Sequence, residues 1–199
     1  MKIELLYITP DADNLIESAG RTCYQSQKRG DPADFVRKII KAGHLSVIEH
    51  ASATFRVSGI SRACSHQLVR HRLCSFSQQS QRYVSESGFD YVIPPAVDTD
   101  NVSVAEYRDD MAYIQSIYDK WVSKGLKKED ARFFLPNACS TEIVVSANFR
   151  QWRHLLEERL SPHAQWEIRE MSQKILSILL EKTCCFNDIS EKYMEKKNE

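Results

Sequence analysis

The stretch RHRLCSFSQQSQRY, residues 70–83, sets Arg70, Arg72 and Arg82 among His71, three glutamines and three serines, with no acid in it. From His50 to Val84 there is no Asp, Glu or Lys, yet Arg56 and Arg62 lie there too. A guanidinium meets a phosphate through two parallel hydrogen bonds, and hydroxyls and amides complete the oxygen shell without repulsion. Arg70, Arg72, Ser80 and Arg82 therefore read as a phosphate cradle, the alternative being ion pairs with acids elsewhere in the chain or on a neighbouring subunit. Neither GxGxxG nor GxxxxGK followed by Ser or Thr occurs, so a nucleotide bound here must be held by side chains. Ser80 has Gln79, Gln81 and Arg82 beside it and no base, which suits a phosphate ligand better than a nucleophile. His71, between two arginines, is expected to stay neutral. A second cluster, Arg132, Asn148, Arg150, Arg153, His154 and Arg159, is mixed with Glu157 and Glu158, and an Arg153–Glu157 pair one helical turn apart is expected.

These side chains need elements to carry them. Residues 1–8 read as a strand, and Thr9-Pro10-Asp11 as a helix start with Thr9 as cap and Pro10 in the first turn. That helix has Ala12, Leu15, Ile16, Ala19 and Cys23 on its apolar face. A second helix starts at Asp31-Pro32 and stops at Gly43. ASATFRVS alternates, with Ala51, Ala53, Phe55 and Val57 inward, and Gly59 is expected to turn the chain. SRACSHQLVRHR has no breaker and reads as one helix carrying Arg70 a turn beyond His66; a polar loop and a short extended piece follow. Ser103 to Glu106 reads as a capping box for a helix ended by Gly125. CSTEIVVSA reads as a strand, Asn148 as the cap of FRQWRHLLEERL, and Ser161-Pro162 as the start of a long last helix. The tail after Glu191 is expected to fray.

The 199 residues, 42% of them hydrophobic, suffice for one core, and the expectation is a single mixed α+β domain over 1–199, helices outnumbering strands. The 27 basic residues balance the 27 acidic ones, which gives generic nucleic-acid adhesion no support. A single-strand binding module, stacking bases on Phe76 and Tyr83, remains the rival from the residues alone. The six cysteines form no CxxC pair and are expected to be reduced thiols; no metal site is expected, although His44 and His50 could join one by folding. No apolar run spans a bilayer, residues 1–10 lack the apolar core of a signal peptide, and a cytoplasmic location is expected.

Arg-His-Arg, seven residues, then Ser, here Arg70, His71, Arg72 and Ser80, resembles the signature of the flavin-dependent thymidylate synthases. HLSVIEH, ARFFLP and NFRQWRHLLEERLSPHAQWEIR resemble further elements of that family, so the likeness runs from about His44 to Arg169. The resemblance implies a fold of the thymidylate synthase-complementing-protein type, with a mostly antiparallel sheet flanked by helices. It implies reductive methylation of dUMP to dTMP, with methylenetetrahydrofolate giving the carbon and FAD, reduced by NADPH, carrying the hydride, and with no enzyme nucleophile. It puts Gln67, Arg70, Gln78, Gln79, Ser80, Arg82, Arg132 and Arg159 on the nucleotide. Ser46, Arg70, His71, Arg72, Gln78, Asn148, Arg150 and His154 fall on FAD. Arg159 is the activating residue, and a homotetramer with sites shared between subunits is implied. Gln78 stands where some relatives carry Glu, and Glu158 where an apolar residue is common; Glu158 is expected to face solvent.

Overall fold

The computed structural model describes residues 1–23, 25–28 and 30–193. It is an α+β protein whose sheet has the order β1-β2-β4-β3 and is antiparallel. The strands are β1 Lys2–Ile8, β2 Ser52–Ser61, β3 Ser75–Gln78 and β4 Ser140–Asn148; the helices are α1 Ala12–Thr22, α2 Pro32–Lys41, α3 Arg62–Leu68, α4 Asn101–Ser123, α5 Lys128–Ala131, α6 Phe149–Arg159, α7 Trp166–Leu180 and α8 Asn187–Tyr193. Fraying beyond Glu191 concerns mainly residues from 194 on, which lie outside the described residues; Glu191 to Tyr193 complete α8. Among the described residues no helix is long and apolar enough to cross a membrane. The contacts fall into two compact units, one formed by residues 1–2, 57–67 and 77–143, the other by residues 3–56, 68–76 and from 144 onward.

In the second unit the inward side chains of β2 and β4 meet α6. Ala53, Phe55 and Val145 are fully buried. The Trp152 indole sits edge-on to Phe55 at 5.2 Å and donates to the Ala53 carbonyl at 3.0 Å, so its one polar atom is satisfied inside the core. Phe149 packs on Phe186, and Ile168, Met171, Ile175 and Leu179 of α7 close the core.

Three helix starts differ from the sequence reading. Thr9 does not cap α1: its amide donates to the Ser52 carbonyl and its hydroxyl accepts from the Ser52 amide, so it lengthens the β1–β2 ladder and Asp11 becomes the N-cap. The inward face of α1 is Ala12, Ile16, Glu17 and Gly20, while Leu15 is 41% exposed. Residues 161–164 form a turn, Ala164 donating to the Ser161 carbonyl, and α7 begins at Trp166 with the Gln165 side chain capping Glu167 and Ile168. That turn reverses the chain so that α7 packs back on α6.

In the first unit α4 contributes Met111 to a buried cluster with Phe89 and Cys139. It starts at Asn101, two residues before the expected box, because Asp100 accepts from the amides of Val102 and Ser103. It ends as expected at Gly125, where a φ of 88° lets the Leu126 amide fold back to the Trp121 carbonyl. Gly59 does not turn the chain. It sits inside β2 with a φ of 70°, and inward burial changes phase there, from Val57 to Ile60, as at a bulge. The helix read over 61–72 stops at Leu68; the His71 amide folds back to the Leu68 carbonyl, and β3 follows directly, ahead of the polar turn at 81–83.

Candidate functional site

In the second unit, β4 runs straight into α6, and Asn148 caps the helix by accepting from the Gln151 amide at 2.9 Å. From that start, Gln151, His154 and Glu158 recur at three- and four-residue steps and share one helix face. Facing them is the turn after α3, closed by His71 to Leu68 and Cys74 to His71 hydrogen bonds. This turn, rather than a helix, presents Arg70 and Arg72 to solvent and buries His71, 5% exposed, between them.

Arg159 donates from Nε to Nε2 of His71 at 2.9 Å. That nitrogen must be unprotonated, so the imidazole is neutral with its proton on Nδ1. Its pKa is lowered from 6.5 to about 4 by burial first and then by the Arg159 charge. Neutrality was expected from Arg70 and Arg72; the causes are burial and Arg159 instead. The His154 ring stands edge-on at 5.9 Å, and Glu158 reaches the His154 Nε2 at 3.4 Å and comes within 4.0 Å of the His71 Nε2. Glu158 was expected to face solvent, but although half exposed it lines the cleft beside Arg159. His71, His154 and Glu158 bring three possible metal-ligand atoms within 4.8 Å of one another. Arg159 already occupies the His71 Nε2 lone pair, which argues against an ion there.

Two clefts open here. One of about 280 Å³ is lined by Arg70, His71, Arg72, His154 and Arg159. Another of about 720 Å³ is lined by Leu45, Asn148, Arg150 and His154, and Leu73 and Gln151 line both. Arg150 pairs with Glu49 at 2.6 Å. Ser46, exposed, precedes the short 3-10 turn Val47–His50 that carries Glu49, and its side chain caps nothing. Arg153 does not pair with Glu157. It is buried and makes a two-pronged contact with Asp188 at 2.6 and 2.7 Å, which fastens α8 to α6.

The first unit collects Gln67, Gln78, Gln79, Ser80, Arg82 and Arg132. The Gln78 amide donates to Ser65 Oγ at 2.8 Å and to Thr141 Oγ1 at 3.3 Å. Ser80 begins the turn that follows β3: its carbonyl accepts from the Tyr83 and Val84 amides, and its hydroxyl accepts from the Arg82 amide. Arg82 is not free of acids; its Nε and Nη2 both donate to Glu129, at 3.2 and 3.1 Å. Arg132 holds the Glu129 carbonyl with its Nε and lines a cleft of about 310 Å³ with Arg62, His66, Gln81 and Asn137. Thus Arg82 and Arg150 follow the ion-pair alternative, whereas Arg70 and Arg72 pair with no acid among the described residues.

The sequence reading passed over Gln151 and Arg62. Gln151 stands three residues after Asn148 and three before His154, so helical spacing already put it on the site face. Arg62 stood out only as one of the arginines in the acid-free stretch, and no role followed, because its side-chain partners Gln79 and Thr141 lie 17 and 79 positions away. All six cysteines are free thiols. Burial pushes Cys139 and Cys185 up to about 12, leaving them protonated at neutral pH.

Fold and side chains define an α+β protein whose candidate sites are built from guanidinium, amide and imidazole groups rather than from glycine-rich loops. Residues 4–183 match the family model described as thymidylate synthase complementing protein. The chain is 43% identical over 190 residues to the flavin-dependent thymidylate synthase of Geobacter sulfurreducens, covering 90% of this chain and 82% of that relative. It is 38% identical over 202 residues to the enzyme of the same name from Clostridium tetani, covering 89% of this chain and 81% of that one. The chain belongs to this family, the flavin-dependent thymidylate synthases, and is an enzyme.

Proposed function

We propose that this enzyme converts dUMP to dTMP by reductive methylation, with methylenetetrahydrofolate as carbon donor and NADPH as the source of reducing equivalents, and that it works as a homotetramer. The observation that carries the reading is the Arg159–His71 contact, a guanidinium aimed by a buried neutral acceptor beside two guanidiniums that have no acid partner among the described residues.

The second unit's side chains fit FAD: a pyrophosphate needs cations and N–H donors, and Arg70, Arg72, Arg150, His154 and the Asn148 amide supply them, with Ser46 and His71 completing the set in that unit. Gln78 joins the FAD residues through the family resemblance alone. Asn148 uses its oxygen on the helix cap, which leaves its NH2 as a donor. Bound there, the flavin supplies the hydride that turns the transferred methylene into a methyl group.

Arg159 stabilises negative charge on N3 and O2 of the uracil as C5 becomes nucleophilic. It cannot act as a base, because guanidinium does not lose its proton in this range. His71 holds the guanidinium plane while staying uncharged, so it adds no repulsion to Arg159. Ser80 and Arg82 take the nucleotide's 5′-phosphate, with Gln67, Arg70, Gln78, Gln79 and Arg132 around the remainder. The Arg82–Glu129 pair has both partners more than a third exposed and is weak enough to be exchanged for a dianion. Activation by charge stabilisation needs no enzyme nucleophile, in keeping with thiols held protonated by burial.

The test is the absorbance of the purified protein with added FAD, before and after NADPH without oxygen, followed by assay of dTMP from dUMP and methylenetetrahydrofolate. Flavin bands that bleach, together with dTMP, are expected. Protein that carries no flavin bands after FAD is added and the unbound FAD is removed by gel filtration, or reduction without dTMP, contradicts the reading.

A further inference from the structure

We infer that Arg62 is a positioning residue that locks the end of β3, Gln78 to Ser80, in the conformation the nucleotide requires. The inference rests on the assignment of that segment to dUMP made above.

Arg62 opens α3 and is itself held by its amide, which donates to the Cys139 carbonyl at 2.9 Å. From this anchor its Nη1 donates to the Gln79 carbonyl at 3.1 Å and to Thr141 Oγ1 at 3.3 Å. The same Thr141 hydroxyl accepts from the Gln78 amide, which also donates to Ser65 Oγ; Ser65 in turn donates to the Arg62 carbonyl at 2.9 Å. Arg62, Ser65, Gln78 and Thr141 thus close a ring, and Ser65 and Thr141 are buried. Because Gln79 also donates its amide to the Glu142 carbonyl, both of its main-chain groups are fixed, and its side chain is aimed by the backbone alone.

Both bonds come from one guanidinium nitrogen, whose two N–H directions are fixed in the guanidinium plane; a lysine ammonium offers enough donors but on a flexible stem that does not fix their direction. The surroundings also restrict the guanidinium. Burial lowers its pKa, Cys139 and Glu86 raise it, and Arg132, which lines the same cleft, lowers it again. Arg62 therefore serves the site through the Gln79 carbonyl and adds its positive potential to that of Arg132.

Removing a charge-assisted hydrogen bond to a segment end is worth roughly tenfold or more in the equilibrium it controls. In Arg62→Ala, amide hydrogen exchange over residues 79–84 is expected to quicken by about that factor. KM for dUMP should rise at least as much while flavin absorbance and kcat at saturating dUMP change little, and millimolar guanidinium should restore part of the KM. Arg62→Lys, which keeps the charge and a donor but not its fixed direction, should fall between wild type and Arg62→Ala. Thr141→Val, which removes one acceptor without touching a charge, should shift both readouts the same way by less than Arg62→Ala. Thr141→Val carries the test alone if Arg62→Ala does not fold. Unchanged exchange and unchanged KM, or equal loss of nucleotide and flavin with no recovery in guanidinium, overturns the inference. A wild-type protein that does not bind dUMP overturns the functional reading instead, and the exchange measurement then still decides whether Arg62 anchors the segment.

Discussion

The contact between Arg159 and His71 joins two side chains 88 positions apart, and each depends on the other. The histidine needs a donor for its buried lone pair, and the arginine needs an acceptor that brings no charge. Arg159→Ala is expected to keep fold and flavin absorbance while dTMP formation falls by roughly a hundredfold or more, the usual effect of removing a group that stabilises developing charge. Retained activity in that variant would remove the activating role. The pH dependence has a definite sign. With a folded pKa of about 4 against the ordinary 6.5, the unfolded chain binds this proton more tightly than the folded one. The stabilisation is therefore complete above the unfolded value, declines as pH falls through the window between the two, and falls no further below about 4. His71→Asn should flatten that decline in urea titrations run across the window, and an NMR titration of His71 with a midpoint near 6.5 would contradict the assignment.

Gly59 shows how a strand adapts to what it must pair with. The alternation Ala53, Phe55, Val57 predicts a strand that ends at the glycine, but pairing with β1 and β4 carries β2 on to Ser61, and a left-handed residue absorbs the change of phase. A Cβ at Gly59 would lie 3.4 Å from the Met1 nitrogen, ordinary contact, so the penalty for a side chain comes from φ rather than from crowding. Gly59→Ala should cost about 1–2 kcal/mol, the usual left-handed penalty, read as a lower urea midpoint with unchanged slope. An unchanged midpoint would mean the strand flattens at no cost. The same contest shortens α3: nothing in SRACSHQLVRHR breaks a helix, yet β3 must begin at Ser75 beside β4, and sheet pairing outweighs a propensity worth tenths of a kcal/mol per residue.

Across the whole chain, most residues assigned to the nucleotide lie in one compact unit and most assigned to FAD in the other, with Arg70, Arg159 and Gln78 the crossovers. Arg82→Ala is therefore expected to raise the Kd for dUMP by roughly tenfold or more, as loss of a charged phosphate ligand does, with flavin retention unchanged. Isothermal titration with dUMP alongside the flavin spectrum checks this, and equal loss of both ligands would contradict it. Self-association belongs to the same proposal, and sedimentation of the flavin-loaded protein should give about four chain masses.

Chain-local physics was enough for much of this protein. Alternation placed Ala53, Phe55 and Val57 inward, Asp31-Pro32 and Asn148 capped the helices they precede, and Gly125 ended α4, because each signal acts on a neighbour a few residues away. Local composition also marked residues 70–83 as a candidate anion site, and the spacing of Arg70, His71, Arg72 and Ser80 pointed to the family that the match over residues 4–183 shows. Tertiary structure decided which cations remain without acid partners. Glu129 takes Arg82 from 47 positions away and Glu49 takes Arg150 from 101, while Arg70 and Arg72 keep none among the described residues. It also decided that His71 is neutral through burial and Arg159, and that Arg62 holds Gln79. Charge pairing and desolvation depend on distance in space, and a chain that must bury its apolar faces first leaves those distances to the packing.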